Sequence, residues 1–453
     1  MKPGPALFTA ALLWLFLGMA AFFSGALFFA WAAAGLGVLP FIIVDLLTLL
    51  AGNRLRVRRS IPGVLAVGEK AAVTLTLTRA RKGLFLPRRA DIFDIYPGGM
   101  EVSAFPARLV KLPEKDGEVF FRYSILPLER GNWEFPETQL LFRSFLSFWQ
   151  LKVIHPCISR GRTFPNFKKL AGHVGDLRSI LEQTGQKNIR KRGQGMEFMG
   201  LREYQRGDSV KAIDWRATGR RRKVIIREYQ EEQDQQILIL LDSGYRLHRQ
   251  EEIPVFGGVP AAEEKTIRRT QFDGALEAAL VLSWAALKYG DEVALGCFGA
   301  EERWIPPRKG MGALAALMQS LYDVKSAPAP SSLFSALEGA LGRLKRRTFI
   351  IMISNFREED GESLSWIIRR IRDRHLLLLV SLREPEAEFI ARRIPSNEEE
   401  ALETAAAFAY LEARRKLYKV WEHSGLLTLE CLPQELNSAL IRYYLEIKRS
   451  GLL

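Results

Sequence analysis

Five consecutive apolar residues, Ile237-Leu238-Ile239-Leu240-Leu241, end on the carboxylate of Asp242. A strand with one wetted face alternates apolar and polar side chains. An unbroken apolar run belongs to a strand covered on both faces, as in the middle of a parallel sheet. Thr348-Phe349-Ile350-Ile351-Met352-Ile353 repeats the pattern, and 292–298 and 376–380 read as further strands. Helical periodicities fall between and after them, at 274–289, 314–321, 333–344, 363–372 and 398–423; a last strand at 426–431 and helix at 434–447 follow. The polar stretch 248–266 reads as a loop. Alternating strands and helices predict an α/β doubly wound parallel sheet. Ligands of such sheets sit beyond the carboxyl ends of the strands, so Asp242 stands where a site belongs.

The preceding chain has a different character. A length of 453 residues implies two or three domains. Between Pro3 and Asn53 the sole charge is Asp45. That run accommodates two membrane helices of about 20 residues each, placed near 6–24 and 30–50. Lys2 precedes it, and Arg54, Arg56, Arg58 and Arg59 follow. The positive-inside rule then predicts a two-helix hairpin with both ends in the cytoplasm: an inner-membrane, multi-pass protein. The rival, a cleaved signal peptide ending near Ser24, leaves a second apolar stretch that exports its own arginine-rich flank. Asp45 is placed near the membrane interface; its functional alternative is a relay or pairing carboxylate. Residues 54–152 carry period-two runs such as Val73-Thr74-Leu75-Thr76-Leu77-Thr78, separated by Gly- and Asp-containing turns, and predict a small β-sandwich. A connector at 153–192 follows, with His155-Pro156 and Pro165 expected to break regular structure. Residues 193–453 hold the remaining domain.

Net charge is +14, which favours acidic partners. Cys157, Cys297 and Cys431 are odd in number and scattered, so neither a disulfide framework nor zinc spacing is present. There is no GxxxxGK[ST], no dinucleotide fingerprint after a strand and no nucleophile elbow. These absences argue against an autonomous ATPase, dehydrogenase or hydrolase.

The densest polar block lies ahead of Ile237. It contains Gly200-Leu201-Arg202-Glu203-Tyr204-Gln205, Gly207-Asp208-Ser209, Ile213-Asp214-Trp215-Arg216-Ala217 and Arg227-Glu228-Tyr229. This pattern resembles the signature of the bacterial domain-of-unknown-function 58 family. The resemblance implies two membrane helices, a β-rich module and a von Willebrand factor A-like domain. It also implies a membrane-anchored scaffold or adaptor working with a MoxR-type AAA+ ATPase, not an enzyme. A von Willebrand A domain often holds Mg²⁺ through D-x-S-x-S, a Thr and a later Asp, because the ion needs hard oxygen ligands. Here Asp242 matches the first position, Gly244 and Arg246 replace the two serines, Ser331 or Ser332 stands near the Thr, and Asn355 replaces the final Asp. No tight metal and no cofactor are therefore expected. Asp242 then serves as a structural carboxylate paired with Arg246. The alternative is weak divalent binding through Asp242, Ser243, Ser332 and Asn355.

The block itself has two readings. As a latch, Asp208 caps a short helix beginning at Ser209, and Arg202, Glu203, Asp214 and Arg216 pair around a packed Trp215. As a docking face, Arg202, Arg206, Arg216 and Arg227 meet an acidic partner. The run Arg220-Arg221-Arg222-Lys223 is a solvated face or a contact with anionic lipid headgroups. Charge alone also admits nucleic acid, but no recognised nucleic-acid motif accompanies it. The rivals to an adaptor are thus a metal-dependent enzyme acting at Asp242 and a lipid- or nucleic-acid-binding protein.

Overall fold

A computed structural model describes the chain except at residues 23–24, 52–54, 80–88, 104–105, 113–116, 167–191, 206–212, 222, 231–234, 255–265, 372–373 and 453. The described residues fall into two compact units, one carried by Met1–Asn166 and the other by Arg268–Leu453 with the strands that precede it.

The first unit begins with β1 (Lys2–Pro3), α1 (Pro5–Ala21) and α2 (Gly25–Ala51). It continues with β2 (Leu55–Ser60), β3 (Val64–Ala66), β4 (Ala71–Arg79), β5 (Arg89–Asp94), β6 (Met100–Ser103), β7 (Ala107–Lys111), β8 (Glu118–Pro127), β9 (Gly131–Arg143) and β10 (Trp149–Phe164). Two sheets form, ordered β2-β4-β8-β6 and β1-β10-β9-β5-β7, with β3 pairing β10 in parallel. Alternation in β4 turns Val73, Leu75 and Leu77 inward onto Ile92, Phe135, Leu140 and Phe142 of the facing sheet. Arg59, Asp94 and Thr138 are buried beside them. Arg59 is bonded to Asp94 and to Thr138 Oγ1 at 3.0 Å, so its charge is paired within the buried interior.

Helix α2 contains the one stretch among the described residues, Trp31–Leu50, that is long and apolar enough to cross a membrane. This supports membrane association and corrects the two-helix hairpin: the apolar part of α1, Pro5–Met19, falls short of the ~20 residues a span needs. The carboxyl end of α2 is fixed to the β module. Asp45 is buried, its Oδ1 accepts from Leu146 N at 3.0 Å, and Trp149 Nε1 donates to Ile42 O at 3.1 Å. A second correction concerns the connector. Strand β10 runs through His155-Pro156 to Phe164, and its pairing with β9 shifts register between Pro156 and Ser159. An imino nitrogen is tolerated at such an irregularity because no ladder bond is required of it.

In the second unit β11 (Arg192–Glu203) and β12 (Ile225–Gln230) form a two-stranded antiparallel ribbon around α3 (Trp215–Arg221). Then come β13 (Gln236–Asp242), β14 (Gln250–Pro254), β15 (Thr266–Thr270), α4 (Gln271–Lys288), β16 (Glu292–Phe298), β17 (Arg303–Arg308), α5 (Gly312–Leu321), α6 (Leu333–Leu341) and β18 (Thr348–Ile353). The chain ends with α7 (Asp360–Ile371), β19 (Leu376–Leu382), α8 (Pro385–Arg392), α9 (Glu398–His423), β20 (Leu427–Cys431) and α10 (Leu436–Ser450).

The six-stranded sheet has the order β17-β16-β13-β18-β19-β20. Ile237, Ile239 and Leu241 of β13 pack with α4, α5 and α10, whereas Leu238 and Leu240 pack with α6, α7 and α9. This explains the unbroken apolar run. The expected doubly wound parallel sheet is nevertheless corrected. The sheet is mixed, because β17 runs antiparallel to β16, and most other described strands lie in antiparallel pairings. The motif Arg303-Trp304-Ile305-Pro306-Pro307-Arg308 hides this edge strand, since its two prolines donate no ladder bond and an edge strand tolerates that loss. The expected loop 248–266 likewise contains β14 and the start of β15, which form a two-stranded sheet.

Candidate functional site at the ends of the parallel strands

Asp242 is the last residue of β13 and has no exposed surface. Its Oδ1 accepts from Gly244 N at 2.8 Å. Its Oδ2 accepts from Ser354 Oγ at 2.6 Å and from Ser331 Oγ at 2.9 Å. The register explains Ser354: Leu241 lies opposite Ile353 on β18, so the next residue of each strand is brought side by side. Ser331 arrives on the loop before α6. That loop is tied over the strand ends by Ala327 N to Ser243 O at 3.0 Å and Tyr245 N to Ala329 O at 2.9 Å. Burial pushes the Asp242 carboxyl above the usual range, and the three hydrogen bonds with the nearby Arg246 charge pull the other way.

Space here is tight enough to dictate glycine. A Cβ on Gly244 would lie 2.7 Å from Ala329 O and 3.0 Å from Asp242 Oδ1. Gly299 has φ +99°, and its missing Cβ leaves room for Gly244 N, which would otherwise be 2.8 Å away. The position where a metal-binding pattern carries its first serine is therefore closed by backbone.

The other candidates do not converge. Ser243 Oγ donates to Phe298 O at 2.8 Å and accepts from Glu301 N at 3.0 Å. Ser332 caps α6 by accepting from Ser335 N. Asn355 Nδ2 donates to Gln271 Oε1 at 2.9 Å and Arg246 O at 3.1 Å, and its Oδ1 accepts from Leu382 N. Arg246 does not hydrogen-bond Asp242, contrary to expectation. It forks onto Asp360 at 2.6 and 2.9 Å and donates to Asn355 O at 2.9 Å. Ser331 and Ser354 were thus the partners to find; Ser354 was signalled by its place one residue beyond a second apolar strand. The strand ends bring one carboxylate together with Ser331 and Ser354, and all three hydrogen bonds it accepts come from this chain. Among the described residues no group of three or more His, Cys, Asp or Glu is placed to hold a metal ion.

The signature block folds as a strand–helix–strand unit. Asp214 caps α3, its Oδ1 accepting from Arg216 N and Ala217 N at 3.0 Å each, which stabilises a helix start. Thr218 Oγ1 accepts from Ile225 N at 3.0 Å and ties the helix to β12. Glu203 pairs with Lys223 at 2.7 Å, both exposed. Trp215 is 69% exposed. This corrects the expectation that it packs beneath ion pairs: it occupies the first helical position and points to solvent. Leu201, Val224, Arg216 and Arg220 are also exposed. Arg206, Asp208, Ser209 and Arg222 lie outside the described residues, as do the side chains of Arg202, Arg221 and Arg227.

Residues 200–404 match the family described as protein of unknown function DUF58. None of the curated proteins matches. Among solved structures the chain is similar to the conserved hypothetical protein BatB from Bacteroides thetaiotaomicron, at 12% identity over 48% of this chain and 99% of that one, TM-score 0.28. It is also similar to an uncharacterized membrane spanning protein from Vibrio fischeri, at 11% identity over 48% of this chain and 98% of that one, TM-score 0.17.

Proposed function

We propose that this member of the DUF58 family is a membrane-anchored adaptor whose signature block is a docking face for a protein partner. The exposed Trp215 carries the reading. A large aromatic ring on the surface, flanked by Arg216 and Arg220 and by apolar Leu201 and Val224, has the composition of an interface hot spot, where Trp and Arg dominate. The family resemblance makes a MoxR-type AAA+ ATPase the partner, in a chaperone-like or assembly role. The helix Trp31–Leu50 holds the protein at the bilayer. Exposed Arg56 and Arg58 just after it favour the cytoplasmic side for the soluble units. The buried, hydrogen-bonded Asp242 then organises strand ends and has no catalytic task.

Crosslinking and mass spectrometry on native membranes, with the parent and Trp215→Ala, test this. An exposed side chain contributes little to folding, within about 0.5 kcal/mol, so the variant should melt like the parent and lose its partner. Undiminished recovery of every partner overturns the docking face. Absence of the ATPase from the parent's crosslinks removes that partner.

A further inference from the structure

Helix α9 spans Glu398–His423, 26 residues or roughly 39 Å. Its buried side chains, Arg414, Leu417, Tyr418 and Trp421, all lie in the carboxyl-terminal half. Beside them opens a cavity of about 620 Å³ between α7 and α9, floored by Ile368, Leu417 and Trp421 and rimmed by Arg369, Lys416 and Val420. Val420 is 64% exposed, and near the other end of α9 Leu402 is 73% exposed. These two residues belong to one seam. Leu402, Ala406, Ala409, Ala413, Lys416 and Val420 recur at alternating steps of four and three, the spacing by which two helices mesh. Charge is unevenly divided along the helix: Glu398, Glu399, Glu400 and Glu403 stand at the start, while Arg414, Arg415, Lys416 and Lys419 outnumber Glu412 and Glu422 in the second half.

We propose that α9 is a homodimer interface, on which the α9 of a second copy lies antiparallel and places its Leu402 in the cavity beside Val420. The occupant follows from self-complementarity. The register that sets Leu402 against Val420 also sets Ala409 against Ala413 and Glu403 against Lys419. A parallel pairing stacks acid on acid and leaves the cavity without an apolar guest. The antiparallel one is isologous, each copy giving a leucine and receiving one, which is the arrangement of a closed two-fold dimer. Alanines at the centre let the helix axes approach to the ~8 Å end of the usual range. Glu403 already holds Arg393 at 3.0 Å, so Lys419 is its second partner.

The test is charge exchange in the full-length chain in detergent, read as mass by light scattering across a dilution series. One variant carries Glu399→Lys and Glu403→Lys, the other Lys416→Glu and Lys419→Glu. The parent should be dimeric. Each variant alone should bring like charges together and dissociate at concentrations at least about tenfold higher than the parent. Their mixture should regain the dimer, because each acidic end then meets a basic one. A third variant, Leu402→Asp, should be monomeric while melting like the parent. A monomeric parent, variants that dimerise as the parent does, or a mixture that stays monomeric overturns the proposal.

Discussion

Replacing Gly244 by serine restores one letter of a metal-binding pattern, and the structure says that it should damage the fold. The new Cβ would lie 2.7 Å from Ala329 O and 3.0 Å from Ser331 Cβ. Neither can yield alone, because Ala329 O accepts from Tyr245 N and Ser331 donates to Asp242. The loop must lift, at an overpacking cost of about 1–3 kcal/mol. A buried carboxylate that loses a donor adds about 1–3 kcal/mol. The reduced freedom of the unfolded chain returns about 0.4–1 kcal/mol. Gly244 has φ −81°, so no backbone strain enters. The net loss is roughly 1–6 kcal/mol, a fall in melting temperature on the order of 10 °C. Gly339→Ala is the control: it lies within α6, its Cβ meets nothing within 4 Å, and it should stabilise by about 0.5–1 kcal/mol. Both are read by thermal melts monitored by circular dichroism. If Gly244→Ser melts within about 2 °C of the parent, the loop is not held down as described and the steric account of the glycine fails.

Arg246→Met takes the guanidinium away from the buried Asp360 carboxylate, leaving Arg357 N as a donor to it, and should cost about 3–5 kcal/mol in urea titrations, while adding Asp360→Leu should recover part of it; a single variant as stable as the parent would show the pair to be dispensable. Asp242, with its pKa raised by burial, contributes stability in acid that is lost as pH rises through the folded pKa. The unfolding free energy of the parent should therefore gain on that of Asp242→Asn as pH falls, and a pH-independent difference would contradict the shift. Millimolar Mg²⁺ should leave the melting temperature unchanged, whereas a ligand at a hundredfold its dissociation constant adds about 2.7 kcal/mol; a chelator-reversible rise would restore the metal reading.

What could be read in advance divides by the range of the interaction. The strands of the central sheet were legible because Ile237–Leu241 and Phe349–Ile353 are apolar on both faces, a local signal of a two-sided environment. Edge strand β17 was not, since Pro306 and Pro307 argue locally against a strand and its edge position and irregular register accommodate them. Strand β10 was cut short for a similar reason at Pro156. At the site, Asp242 ends its strand and Ser331, one of two serines read near it, bonds it, but Ser354 was missed and Arg246 was given the wrong partner. Arg246 finds Asp360, 114 residues on, and nothing local in the sequence chooses that carboxylate over one four residues away. Trp215 was packed only in the latch reading of the block; its place at the first turn of a seven-residue helix capped by Asp214 turns it outward.

The fastening of α2 to the β module has a mechanical consequence. The apolar stretch Trp31–Leu50 is about 30 Å long at 1.5 Å per residue, equal to the ~30 Å hydrocarbon thickness of a typical bilayer. Its last turns are also the part bonded to the module, through Trp149 to Ile42 and Leu146 to Asp45. A span longer than the local hydrocarbon layer accommodates by tilting. With the helix end clamped to a turn of the module, no loose tether absorbs that tilt. Helix lean and module pose are therefore one variable, and a thinner membrane that leans the helix should swing the β module with it.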